Sequence, residues 1–393
     1  MSSNVVDEAL DAATLAKINE CCSKPQQACA TLKQRSLKQM GLDDKTQHEC
    51  QLMCSAASLR STICNILQSG LNSDIKLRVE GETFDCHLDV LRLASDYFRE
   101  LEPTNYVEFS AEQLTARGFA MVYLWLTSPA LQIDADNILE IFVAAQFLRM
   151  KELLEQLWWY FVHDYYWEGQ AFKLYIQAVD RAHTEALQAL LITRINRFFL
   201  KAVATLQFLS LKCEHVVPLL QSNLICVNSE VEVFMSARRW LQYDWQQRQQ
   251  HIPRIMETVR FDLMPAWYIV SLKAKQRQLQ LQQLLDHPFM RTKIDGALSQ
   301  SVTQLTMNKQ KQLETQSAER MWIIDEKAAH HHLYKCANWC YLDASLFNRY
   351  LQQIIAAGPA HCKSLRAYEP ANLMPCCRTV AKGEQFLNKQ HID

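Results

Sequence analysis

Residues 73–101 read SDIKLRVEGETFDCHLDVLRLASDYFREL, and three different patterns follow one another within that run. Ile75, Leu77 and Val79 alternate with Asp74, Lys76 and Arg78, the period-two signature of a half-buried strand. Glu80-Gly81 marks a tight turn, and Phe84 and Cys86 then begin a second strand, so a hairpin is expected. From Val90 the spacing changes. Val90, Leu91, Ala94, Tyr97 and Phe98 recur at helical intervals, and Val107 with Phe109 points to a third short strand. Upstream, Leu59, Ile63, Ile66 and Leu67 lay an apolar stripe along a short helix that Gly70 closes.

Beyond the hairpin the spacing predicts helices almost throughout. Phe119, Val122 and Leu126 mark one, Ile138 to Leu148 a second, and Leu153, Leu157 and Phe161 a third. Leu187, Leu190, Leu191 and Ile195 form a further apolar face. Val216, Leu219, Leu220 and Leu224 form the next, with Pro218 expected near a first turn, where its missing N–H costs little. Val231, Phe234, Trp240 and Leu241 make another, opened by Ser229 with Glu230 and Glu232 as acids suited to a helix N-terminus. A glutamine-rich stretch then reads as an exposed helical connector. Aromatics return at Trp322, Tyr334, Trp339, Tyr341, Phe347 and Tyr350, and after Pro370 a tail is expected.

Composition narrows the function classes. The 393 residues exceed one ordinary domain, and an apolar share of 49% supports genuine cores. Lys and Arg number 41 against 42 for Asp and Glu, so no polyanion-binding surface shows and nucleic acid is not an expected partner. Only 8 glycines are present, where ordinary usage of about 7% would give more than three times as many. That scarcity argues against many hairpins, a propeller or a phosphate-cradling loop. The N-terminus lacks a basic and then apolar leader, and no apolar run nears the roughly 18 residues of a membrane span. The 14 cysteines are scattered, which reads as mostly reduced thiols. A cytoplasmic home (or a nuclear one), with no membrane partner, is the expectation.

The segment carrying Ser73-Asp74-Ile75, Phe84, His87, Leu91, Ser95, Tyr97 and Phe98 resembles the BTB (POZ) domain. Leu124-Trp125-Leu126-Thr127, Asn137-Ile138-Leu139, Ala144-Ala145 and Phe147-Leu148-Arg149-Met150 resemble its later elements. LLQSNLICVNSEVEVFMSARRWLQYDWQQR, with Glu230, Val233, Phe234, Ala237, Trp240, Leu241, Asp244 and Arg248, is similar to a BACK domain, as are Val259-Arg260-Phe261 and Leu263. The resemblance covers roughly residues 56–275 and implies an α+β fold, predominantly α. A small sheet capped by helices would be followed by an all-helical BACK domain and a short C-terminal helical module. The expected divisions are a polar arm at 1–50, the BTB domain at 51–165, BACK at 166–275, the connector at 276–314, and the module with its tail at 315–393. A six-bladed kelch propeller is not expected. Its blades run about 50 residues each, and the 103 residues after Met290 contain only Gly296, Gly358 and Gly383.

The same resemblance implies a non-catalytic homodimer that recruits a protein substrate to a cullin–RING ubiquitin ligase of the cullin-3 type. The alternative is a dimeric scaffold without ubiquitin chemistry. The implied dimer interface comprises Leu59, Ile63, Leu67 and Asp74, and the implied cullin contact comprises Tyr97, Phe98, Glu100 and Leu101. The loop after Phe98 is several residues shorter than in such adaptors, and Leu88 stands where many members of the family place a base after the His, so a co-repressor pocket of the transcription-factor type is not expected. His87 reads as a structural, hydrogen-bonding histidine. The aromatic run Trp158, Trp159, Tyr160, Phe161, Tyr165, Tyr166 and Trp167 reads as filling the seam between helical domains. His330-His331-His332 with Cys336, Cys340, His361 and Cys362 could offer zinc sulfur and imidazole. Cys-x-x-x-Cys suits helix packing equally, and no second clean pair exists, so no metal or cofactor is expected. Gly-x-Ser-x-Gly, Walker, Gly-x-Gly-x-x-Gly and His-Glu-x-x-His motifs are all missing, so no catalytic residue is expected.

Overall fold

Strand β2 (Ile75–Val79) buries Ile75, Leu77 and Val79 while its polar residues face outward, as the alternation predicts. The computed structural model describes residues 36, 39, 50–53, 60–128, 130–134, 137–163, 168–274, 278–306, 320–332, 336–369 and 373–378. The side chains of 50–53, 60–63, 168, 302–306 and 331 are excepted. Before β2 come β1 (Cys50–Met53) and α1 (Arg60–Gln68). β2 pairs antiparallel with β3 (Glu82–Cys86) through a turn in which Glu80 (φ 50°) and Gly81 (φ 84°) both sit in left-handed backbone. That is the mirror-image geometry that matches strand twist, and it is why a glycine stands there.

Helices α2 (Leu88–Ala94) and α3 (Asp96–Glu100) follow, and then β4 (Tyr106–Phe109) pairs parallel to β2, giving the order β3-β2-β4. Ser95 separates the two helices. Its hydroxyl accepts from Phe98 N and donates to Leu148 O at 2.6 Å, which locks this corner to the following helices. α4 (Ala116–Thr127), β5 (Ala130–Ile133), α5 (Ile138–Phe147), α6 (Lys151–Val162), α7 (Glu168–Ala178) and α8 (Glu185–Ile195) complete a unit spanning residues 43–194. β1 straddles the expected division between the polar arm (1–50) and the BTB domain (51–165), and it pairs antiparallel with β5. Leu124–Thr127, expected among the later elements, ends α4.

A second unit runs from residue 195 onward. It opens with α9 (Phe199–Val203), α10 (Leu206–Ser210), α11 (Cys213–Gln221), the two-residue β6 (Cys226–Val227), α12 (Glu230–Tyr243), α13 (Trp245–Arg248), α14 (Ile252–Met256) and α15 (Ala266–Lys273). Pro218 lies inside α11, not in its first turn, because the helix already begins at Cys213. The buried indole of Trp240 donates to Leu211 O, and the Arg248 guanidinium lies 4.0 Å above that ring while donating to Trp240 O and Leu209 O. Asp244 caps α13 through Gln247 N.

The glutamine-rich stretch forms α16 (Leu279–Asp286) and α17 (Pro288–Thr306). Leu281, Leu284, Leu285, Met290, Ile294 and Ala297 are buried there, so an apolar stripe runs through what reads as an exposed connector. The last elements are β7 (Met321–Ile324), α18 (Ala344–Ser364), interrupted at Gly358 (φ 75°), and β8 (Arg366–Ala367). β7 pairs parallel with β6 and antiparallel with β8, so two strands join the helices of the C-terminal module. Past Pro370, where a tail is expected, Leu373 and Cys377 are buried.

α9 is buried on every side, Lys201 included, at 0% exposure. Its ammonium nitrogen has no hydrogen-bond partner among the described residues, and burial pushes its pKa down. Lys201→Met should therefore raise the unfolding free energy near neutral pH by about 1–3 kcal/mol. Because the folded pKa lies below the unfolded one, the unfolded wild type binds more protons and its stability rises with pH. The gap to the variant should shrink toward the ordinary lysine range of about 10.4. Urea unfolding of both proteins at neutral and alkaline pH measures this, and a gap that does not narrow would show the lysine to be hydrated.

Candidate functional site

Two surfaces stand out, one in each unit. In the first, Leu93 in the last turn of α2 is 81% exposed, and Tyr106 at the start of β4 is 46% exposed. Tyr97 is half-buried, ringed by Phe98, Phe109 and Phe147 at centroid distances of 5.4–5.6 Å. Phe98, expected at a partner contact, is fully buried and so belongs to the core beneath that surface. Glu100 is exposed but holds Arg149 in a two-pronged ion pair at 3.0 and 2.6 Å. Leu101 is half-buried, and its carbonyl accepts from Arg92, which also reaches Phe98 O, so the short 101–105 loop is tied back to α2.

Of the expected dimer residues, Leu59 lies outside the described residues, and Ile63 is on α1 with its side chain outside them. Leu67 is half-buried on the same helix, near an exposed Ile66. Asp74 accepts from Leu88 N at 2.7 Å, which caps α2 and fixes the hairpin to it. His87 is held at both ring nitrogens, Nδ1 to Tyr123 Oη at 2.8 Å and Nε2 to Leu71 O at 2.9 Å. A carbonyl only accepts, so Nε2 donates to Leu71 O, and with Nδ1 on the Tyr123 hydroxyl the ring is held on both sides, as a structural histidine is. Burial pushes the neighbouring Cys86 thiol up to about 12. Of the aromatic run, Tyr160 and Phe161 are buried and Trp158 packs edge-on against Phe142, whereas Trp159 is 54% exposed. Tyr165–Trp167 lie outside the described residues.

The second surface is a cavity of about 310 Å³ walled by Trp267, Trp322, Trp339, Leu342 and Tyr368, with Asn228, His330 and His332 among its polar lining. Trp267 meets Trp339 edge-on at 4.9 Å. Its walls come from both the helical segment before α16 and the module after Arg320, and a buried polar network holds them together. Arg320 and Glu230 pair with both side chains at 0% exposure. Nε reaches Oε2 and Nη2 reaches Oε1, each at 2.9 Å. Arg320 also donates to Ser222 O and Thr258 O, and Glu230 Oε1 accepts from Arg260 N. Each charge is thus matched and its remaining hydrogen-bonding capacity largely used.

Beside this pair, Glu232 accepts from Asn228 through both its backbone N–H and its side chain, and from His330 Nε2 at 2.6 Å. Asn228 Nδ2 also donates to Tyr350 Oη, while its Oδ1 accepts from Asp325 N. Asp325 Oδ2 then accepts from Tyr350 Oη and His361 Nε2, both at 2.8 Å. Burial holds the Tyr350 phenol well above its usual pKa. His330 and His361, taken from sequence as possible metal donors, are therefore committed to carboxylates. Cys362 is buried in α18 and Cys340 is exposed. His332 and Cys336 do meet, in the company of Cys376 and Cys377. Arg320, Asn228, Asp325 and Tyr350 carried no local signal, because their partners lie up to 122 residues away.

Among the described residues no helix is long and apolar enough to cross a membrane. Residues 64–163 match the family model for the BTB/POZ domain, and 174–274 match that for BACK, "BTB And C-terminal Kelch". Residues 283–365 match "Domain of unknown function (DUF4734)". The chain is 28% identical over 235 residues to Kelch-like protein 26 of Mus musculus, covering 58% of this chain and 37% of that one. It is 24% identical over 224 residues to Kelch repeat and BTB domain-containing protein 8 of Homo sapiens, covering 55% and 37%. Against Kelch-like protein 2 of Homo sapiens it is 24% identical over 237 residues, covering 58% and 40%. The similarity therefore spans well under half the length of these curated relatives.

Arg320→Ala should lower the unfolding free energy by about 3–5 kcal/mol, because it strands the Glu230 carboxylate in a dry site. Adding Glu230→Gln should restore part of the loss, since a neutral amide costs less to bury unpaired. Urea unfolding of the two variants checks this, and a double variant no more stable than the single would assign the loss to packing instead.

Proposed function

We propose that this chain, which carries a BTB/POZ domain followed by a BACK domain and has kelch-like homologues, is a non-catalytic dimeric adaptor. In this reading it presents a protein substrate to a cullin-3-type ubiquitin ligase. The observation that carries the proposal is the order of the two domains, together with an exposed apolar anchor beside α3. Leu93 and Tyr106 supply desolvatable area, and Tyr97, Glu100 and Leu101 supply a more polar margin, the composition a transient partner contact needs. Phe98 supports that face from below. Pairing through α1, with Leu59, Ile63 and Leu67 on the shared stripe, would give an isologous dimer. Two copies would raise the effective concentration for a repeated or dimeric substrate. The substrate would enter the aromatic cavity by an apolar or aromatic side chain packed among Trp267, Trp322 and Trp339.

A scaffold without ubiquitin coupling is the second reading. It is favoured by the 101–105 loop, whose short length and tether to Arg92 leave little chain to extend toward a cullin.

The full-length chain should elute with the N-terminal region of cullin-3, and Leu93→Asp should weaken that complex at least tenfold, the scale of a lost interface anchor. A folded, dimeric chain that forms no such complex would leave the scaffold reading in its place. Phe98→Ala should instead cost stability, about 3–5 kcal/mol, because it empties core volume. Light scattering should report twice the chain mass, and a Leu59→Asp, Ile63→Asp, Leu67→Asp triple change should yield monomer. A dimer that persists would move the interface elsewhere.

A further inference from the structure

Three sulfurs and one imidazole nitrogen converge on a single point in the second unit. His332 Nδ1 lies 3.3 Å from Cys377 Sγ, 3.5 Å from Cys376 Sγ and 3.8 Å from Cys336 Sγ. All four donor atoms lie within 4.8 Å of one another. We propose that His332, Cys336, Cys376 and Cys377 form a tetrahedral site for Zn²⁺.

The distances are those a metal would impose. With zinc–sulfur bonds of about 2.3 Å and zinc–nitrogen bonds of about 2.0–2.1 Å, a tetrahedral centre holds nitrogen and sulfur about 3.6 Å apart. The three observed separations bracket that value. Thiols and imidazole are also the donor types Zn²⁺ prefers over oxygen ligands, and three thiolates with one neutral imidazole fill a closed, four-coordinate structural site.

Packing alone does not account for the arrangement. A buried cysteine commonly serves as a small apolar residue, and Cys64, Cys86 and Cys213 do so singly. Here the chain brings a polar nitrogen to face three sulfurs, which are only weak hydrogen-bonding partners, from stretches forty residues apart. Cys336 and Cys377 are 2% and 1% exposed in a shell of Ile324, Trp339 and Leu373, which keeps water from the donors. His332 and Cys376 reach nearer the surface and leave a path for entry. Cys376 and Cys377 are set by the turn at 375–378, where Cys377 N and Arg378 N both donate to Met374 O. On binding, the three thiols lose their protons to solvent and the centre carries one net negative charge. The metal would clamp residues 373–378 to the 332–336 segment. The inference does not depend on the adaptor reading.

The test uses the full chain, expressed with a tag that contains no histidine. Plasma mass spectrometry should find one zinc per chain, and native mass spectrometry should show the same increment. Cys340→Ser, outside the four, should keep the metal, whereas Cys336→Ser and Cys377→Ser should lose it. Because those two variants risk misfolding, wild-type protein stripped by a chelator is also titrated with Co²⁺. Thiolate-to-cobalt charge transfer and the d–d bands of a tetrahedral site should appear and saturate at one equivalent, and Zn²⁺ should abolish them. A folded chain that binds neither metal would overturn the proposal. So would metal retained in both cysteine variants, or a freshly purified chain whose mass shows Cys336 joined to Cys376 or Cys377 as a disulfide.

Discussion

A guanidinium and a carboxylate, ninety residues apart in sequence and both without solvent exposure, decide the shape of the second unit. Taking either ion out of water is costly, and their mutual attraction offsets that only when the remaining donors and acceptors are used. Here they are: Arg320 reaches two further carbonyls and Glu230 takes a backbone N–H from Arg260. Such a pair adds little net stability compared with well-packed apolar residues, but it tolerates almost no displacement. It therefore sets the register in which β7 enters beside β6, and so which residues wall the cavity. A two-residue strand could not fix that register through two ladder positions alone.

Where an element's cause is local, the sequence exposed it. Alternation over Ile75–Val79, the turn at Glu80-Gly81 and the helical spacing from Val90 all appear where they were read, because each expresses a backbone period that tertiary contacts merely reinforce. Glu230 and Glu232 show the opposite case. At the first turn of α12 they satisfy a local rule about helix dipoles, and that sufficient explanation concealed their burial against Arg320 and His330. The glutamines of 276–306 likewise drew attention from Leu281, Leu284 and Leu285, whose three- and four-residue spacing was the informative feature. Pro218 falls inside α11 for a simpler reason: the helix begins at Cys213, ahead of its first strongly apolar position.

The site residues divide the same way. His87 and Asp74 act on groups within 36 residues, through a hairpin-to-helix junction that the local pattern already implied. Local sequence offers His330, His331, Cys336, Cys340, His361 and Cys362 beside His332, and among the described side chains only Cys336 of these joins the cluster around it. Its other half comes from a stretch past Pro370 that lacks any periodic signal. Adjacent histidines in a loop point in different directions, so His330 and His332 serve different ends: one donates to a buried carboxylate, the other meets sulfur.

The cavity and the two buried clusters are parts of one construction. Trp339 lies three residues from Cys336 and belongs both to the shell around the sulfurs and to the cavity wall, while His330 and Asn228 belong to the carboxylate network and to its lining. Trp339, His330 and Asn228 are each held from behind, and wall side chains so held have few alternative rotamers, so a guest in the adaptor reading would lose less affinity to reorganisation. A propeller presents such a surface by repeating blades. Here the module after Arg320 is joined to the preceding helices by a buried ion pair and its hydrogen bonds. Recognition at this site would then depend less on long loops than on the fit between three tryptophans and whatever side chain displaces water from among them.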